Sequence, residues 1–185
     1  MPSPLGHFLA GATLAAVVLP RNQARLASKL ALAGAVACVP DLDFLPMLIL
    51  DLGREFHRGI THSLLFAAGG GGLLFLWLGF ARWRLAAAAS LALLSHCLLD
   101  AATTVRGQGL ALLWPLSAER WRLGLVQLPG ASIESSLSAT AAGILQTASV
   151  ESAIFIPPLM LALYLRHHPR GDRGNRMGLW ATIRS

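Results

Sequence analysis

Charge is scarce in this chain. Only 13% of its 185 residues are charged, nine of them acidic, where soluble domains carry about 25%. Its 18 Gly and 55% apolar residues together make about 65% of the chain, against about 45–50% for soluble domains on the same count. A water-facing globule of this size is hard to build from such material. The two cysteines, Cys38 and Cys97, both lie inside apolar stretches, which argues against a disulfide framework and for two small core hydrophobes. No Lys or Arg precedes the apolar run that starts at Phe8, so the basic start of a secretory signal is missing and the N-terminus is expected to be retained. There is no internal repeat. The net charge of +6 does not come from a basic stripe interleaved with aromatics, which speaks against nucleic acid as a partner.

What the chain has is apolar length. Five segments stand out, 8–20, 26–39, 62–81, 85–102 and 137–165. The third has the length of a bilayer span, about 20 residues, and its Gly69–Gly72 run reads as a close-packing helix face. The first two are short for spanning. Pro20 and Pro40 end them, since the residue before a proline leaves the helical region, and Arg82-Trp83-Arg84 divides the third from the fourth. Residues 103–136 form the longest non-spanning stretch, with Trp114 and Trp121 suited to a membrane-water interface. The expected fold is all-α, an antiparallel membrane-embedded bundle of about four to five apolar helices over residues 1–165, followed by a basic, mobile tail at 166–185.

Against this background a few polar residues carry the chemistry. His96 and Asp100 are four apart, which puts both on one helix face; the alternative is a satisfied His–Asp pair in a helical core. Ionisable groups at membrane depth are costly and mostly functional, which favours the first. Asp41 and Asp43 stand one residue apart after a helix end and would face one side of an extended backbone, either sharing a cation or capping a solvated loop. In His57-Arg58-Gly59-Ile60-Thr61-His62-Ser63, Thr61 is a plausible N-cap that places His62 in the first helical turn, and Gly59 permits a turn that folds His57 back. Imidazoles combined with carboxylates suit Zn, Mn or Fe rather than Ca or Mg. Arg58 is a candidate anion binder or a plain surface residue. His7 is a weaker candidate, and Glu151 in an apolar run is either a further ligand or a capping acid.

The placement of these residues unites them. His7 begins the first segment, Asp41 and Asp43 follow the second, His62 begins the third, and His96 and Asp100 end the fourth. Arg21, Arg25, Lys29, Arg82, Arg84 and Arg166 mark the other ends. An antiparallel bundle therefore gathers His7, Asp41, Asp43, His57, His62, His96 and Asp100 at one rim. Ten of the fifteen basic residues fall on the opposite side, which predicts that side and the C-terminus to be cytoplasmic and the metal rim to face outward.

The series His7, Pro40-Asp41-Leu42-Asp43, His57 to Ser63, His96-Cys97-Leu98-Leu99-Asp100, Gly109 and Trp114-Pro115 resembles the LexA-binding, inner-membrane-associated family of metal-dependent hydrolases, over about residues 5–165. More distantly, the order of Asp and His is similar to the zinc-dependent phospholipase C and P1 nuclease group, whose later ligands are largely missing here. The resemblance implies a multi-pass protein of the bacterial inner membrane and a hydrolase activity. On that reading Asp41, Asp43, His57, His62, His96 and Asp100 hold a divalent metal, Zn before Mn or Fe, with His7 and Glu151 as further candidates. Asp43 would act as general base and Arg58 would stabilise developing charge. The substrate class expected is a phosphoester or lipid-linked molecule drawn from membrane lipid. The alternative is a non-catalytic scaffold with a structural metal that recruits a cytoplasmic regulatory protein.

Overall fold

The computed structural model describes residues 2–52, 57–104, 109–129 and 136–168. The tail expected to be mobile lies, from residue 169 onward, outside the described residues. Those described form six α-helices: α1 (Pro4–Val18), α2 (Leu26–Ala37), α3 (Phe44–Ile49), α4 (Leu64–Leu78), α5 (Trp83–Thr103) and α6 (Leu137–His167). Short 3-10 turns at Val39–Asp43, Ile60–His62 and Phe80–Arg82 lead into α3, α4 and α5.

Helix α1 is central. It packs on α2, α5 and α6, and α5 in turn packs on α2 and α4. The buried positions are small: Ala12, Ala15 and Ala16 on α1, Ala33 and Ala37 on α2, and Ala86, Ala88, Ala89 and Ala92 on α5. Small residues allow helix backbones to approach closely, which is how helices associate when the surrounding solvent is as apolar as their side chains. At Gly11 an added Cβ would stand 2.7 Å from the Ala33 carbonyl oxygen. The large apolar side chains point the other way, with Trp77 79% and Phe80 80% exposed. This inside-out distribution belongs to a chain whose solvent is partly lipid.

Among the described residues two helices are long and apolar enough to cross a membrane, Phe80–Thr103 including its 3-10 turn, and Leu137–His167. The pair Leu26–Ala37 and Val39–Ile49, bent by 46°, makes a third if read as one broken span. The segment 62–81, expected to span, is shorter than its apolar composition suggested. Ser63 Oγ accepts from the Phe66 amide at 3.0 Å and so caps α4, and Gly79 ends it at φ 71°, a left-handed conformation that glycine adopts without strain. α4 is therefore 15 residues long. Helix α3 was not expected; it follows Pro40 because the chain turns in 3-10 geometry at Val39–Asp43 instead of leaving the helical region. Helix α6 covers the expected segment 137–165, beginning at Leu137, and Glu151 lies near its middle.

Candidate metal centre

The start of α1, the end of α2, the entry to α4 and the last turns of α5 meet at one end of the bundle. Ser3 caps α1, its Oγ accepting from the Leu5 amide at 3.2 Å, and the first turn delivers His7, fully buried. At the end of α2 the Ala37 carbonyl has no further helical donor. His96 Nδ1 approaches that carbonyl at 2.8 Å. A carbonyl only accepts, so Nδ1 carries the proton and Nε2 is left bare.

The Val39–Asp43 turn then sends its two carboxylates different ways, not to the single side that an extended backbone would give. Asp41 Oδ1 lies 3.5 Å from His62 Nε2 and 3.6 Å from His96 Nε2. Asp100 Oδ2 lies 3.6 Å and 3.8 Å from the same two nitrogens. Taking one atom each from Asp41, His62, His96 and Asp100, all four lie within 4.8 Å of one another. Bonds of about 2.0–2.2 Å to a tetrahedral ion set its donors roughly 3.3–3.6 Å apart, so the four distances are close to what such an ion needs. His62 Nε2, His96 Nε2 and Asp100 Oδ2 are buried without a hydrogen-bond partner. Buried polar atoms in proteins are almost always paired. Three of them converging on one point fit a cation.

Asp43 stands one layer behind. Its Oδ1 bonds His57 Nδ1 at 2.6 Å. Its Oδ2 accepts from Thr61 Oγ1 at 2.6 Å and from the Arg58 amide at 3.2 Å, and lies 3.4 Å from His62 Nδ1. Thr61, expected to cap a helix, is instead an anchor for this carboxylate; the cap is Ser63. Arg58 takes a left-handed backbone, φ 63°, and its carbonyl accepts from Ala111 at 3.2 Å, fixing the loop to residues beyond α5. His7 supports the other flank. Its Nε2 lies 3.2 Å from Asp100 Oδ1 and its ring stacks on His96 with centroids 3.8 Å apart. His57 meets His62 edge to face, centroids 5.3 Å apart.

Glu151, a candidate ligand from sequence, has another partner. Its carboxylate accepts from Ser3 N, Ser3 Oγ and Gly6 N, binding amides at the start of α1 that have no helical acceptor, where a negative charge is favoured. It ties α6 to α1 beside the site and is not among the four donors.

The YdjM inner membrane protein family model matches residues 1–170. The chain belongs to that family. It is also similar to the Inner membrane protein YbcI of Escherichia coli (strain K12), 41% identical over 102 residues, covering 50% of this chain and 57% of the relative. The chain thus spans just over half the length of that curated relative. No solved structure matches. As a member of this family the chain is an inner membrane protein, and its apolar, outward-facing helices agree with that setting.

Within this membrane protein the site has a marked charge balance. Burial works against protonation of His62, yet the neighbouring carboxylates of Asp41, Asp43 and Asp100 outweigh it and push its pKa up to about 9. Without a cation the cluster therefore holds a proton on His62 at neutral pH; a bound cation would take over the role of that positive charge.

Proposed function

We propose that this protein is a metal-dependent hydrolase of the inner membrane, with one divalent ion, Zn before Mn or Fe, held by Asp41, His62, His96 and Asp100. The observation that carries the reading is the convergence of three buried, unpaired ligand atoms on one point. Two imidazoles and two carboxylates form a donor set for transition metals rather than for Ca or Mg. A bound ion of this kind lowers the pKa of water towards neutrality and polarises a phosphoryl or carbonyl oxygen.

The surrounding residues hold that donor set in place. Ala37 fixes the His96 tautomer, Asp43 backs His62, and His7 turns Asp100 so that Oδ2 faces inward; partners of this kind orient ligands and strengthen their basicity. The Asp41 side chain, 19% exposed while the other three are fully buried, marks the open side where substrate would enter. Arg58 on the neighbouring loop would supply positive charge to a phosphoryl oxygen. A phosphoester or lipid-linked substrate follows from that charge and from the membrane setting. Asp43, expected as general base, has both oxygens engaged, so its role becomes that of a positioning residue.

That same engagement favours a second reading. Four protein donors complete a tetrahedral shell, the pattern of structural sites, whereas catalytic ones keep a position open. A scaffold with a structural metal, recruiting a cytoplasmic regulatory protein through its basic tail, would need no free base. Purified protein loaded with Zn, Mn or Fe and assayed on a panel of phosphodiesters, phosphomonoesters and carboxylic esters separates the two. Metal-dependent turnover that His62→Ala abolishes supports the hydrolase. Stoichiometric metal with no turnover on any substrate, and a lowered melting temperature on metal removal, supports the scaffold.

A further inference from the structure

The opposite end of the bundle holds a second concave site. The α1–α2 and α4–α5 connections meet there around a cavity of about 410 Å³. Arg25, Lys29, Arg82 and Arg84 line it together with Trp83, and no Asp or Glu does. Among the described residues no carboxylate pairs with any of the four cations. Trp83 carries the Arg84 guanidinium 5.2 Å from its ring centroid, an arrangement suited to the headgroup level of a membrane.

The helix ends make the concentration of charge unusual. Both α2 and α5 begin at this cavity, with Arg25 and Arg82 as their N-caps. Neither N-cap side chain bonds the helix, and neither first turn contains an acidic residue. A helix N-terminus already carries positive partial charge, so cations placed there repel it. The uncapped N-terminus of α2 and four cations without a carboxylate partner among the described residues, gathered around one cavity, are mutually unfavourable until an anion joins them. Helix N-termini provide the amides and Arg the fork that phosphate oxygens accept from. Basic pockets between membrane helices take phospholipid headgroups on the same principle.

We propose that this cavity binds the phosphate group of an anionic membrane lipid. The site is separate from the His/Asp cluster; along α5 alone, Trp83 and His96 are about 20 Å apart at 1.5 Å per residue. It stands whether or not the cluster turns over.

The full chain, purified in detergent and reconstituted in nanodiscs, tests this. Lipid retention is compared between phosphatidylglycerol and phosphatidylcholine for wild type, for Arg25→Gln/Arg84→Gln, and for the charge-matched Arg173→Gln/Arg176→Gln in the tail. Arg25 and Arg84 are exposed, so their exchange leaves the packed core alone. The expected result is a clear preference of wild type for phosphatidylglycerol, weakened at least tenfold by the first pair and less than twofold by the second. Displacement of the lipid by millimolar inorganic phosphate in the same assay would support the cavity as a phosphate site and assign free phosphate as a competing source. Equal weakening by both pairs would mean diffuse attraction to a charged surface, and the proposal would be wrong. So would the absence of any preference in wild type together with no binding of inorganic phosphate.

Discussion

His62 gathers most of the site's electrostatics into one side chain. Its pKa of about 9 in the metal-free protein lies above the ordinary histidine value of about 6.5. A raised pKa contributes stability that is fully present below about pH 6.5 and is lost as pH rises through about 9. The melting temperature of the metal-free protein should accordingly fall between pH 7 and pH 9.5, and His62→Gln should flatten that part of the profile. Metal binding must displace the same proton, so loading near pH 7 should release protons, and apparent affinity should climb by up to about tenfold per pH unit below pH 9. Affinity independent of pH over that range would count against His62 as a ligand. Asp43 offers a different test, because it touches ligands without being one. Asp43→Asn should weaken metal binding by about 10–100-fold, as loss of a supporting hydrogen bond does, while leaving stoichiometry unchanged. A variant that binds metal as tightly as wild type would remove Asp43 from the account.

At the scale of elements, close helix approach positions the cluster. Gly11 faces the Ala33 carbonyl and Ala37 Cβ, each 2.7 Å from an added Cβ, and backbone atoms cannot yield as a flexible side chain can. Gly11→Val should cost about 1–3 kcal/mol through overpacking and should also weaken metal binding, since it displaces α2 just before Asp41. Gly72, which an added Cβ would leave in open space, should accept Ala with neutral or improved stability; thermal melts of both variants check the contrast. The apolar segments and their polar punctuation made five helices and the meeting of His7, Asp41, Asp43, His57, His62, His96 and Asp100 readable from sequence, because alternating direction in a bundle sends those ends together. The helix boundaries were harder to read. Ser63 rather than Thr61 caps α4 because Thr61 is drawn to Asp43, a partner 18 positions away. Glu151 looked like a ligand because sequence shows its apolar neighbours but not the three donors of Ser3 and Gly6 that claim its carboxylate. The division of labour between Asp41 and Asp43 was equally hidden, since it follows from a 3-10 turn where an extended segment was expected.

For the whole molecule, the inside-out packing and family membership agree on an inner membrane protein, and the asymmetry of basic residues makes a statement about its orientation. A reporter fused after Ser185 should lie in the cytoplasm, and a cysteine introduced at Gly130 should react with an impermeant thiol reagent from outside. The reverse pattern would turn the metal cluster towards the cytoplasm and change the substrates it could meet. The account as a whole rests on Asp41, His62, His96 and Asp100 holding a cation together. The most direct measurement is elemental analysis of the detergent-purified chain after zinc loading and desalting, alongside His62→Ala, His96→Ala and the control exchange Asp51→Asn outside the cluster. About one ion per chain is predicted for wild type and Asp51→Asn, with loss of most of it in each histidine variant. Metal absent from wild type, or fully retained after either histidine is removed, would contradict the account.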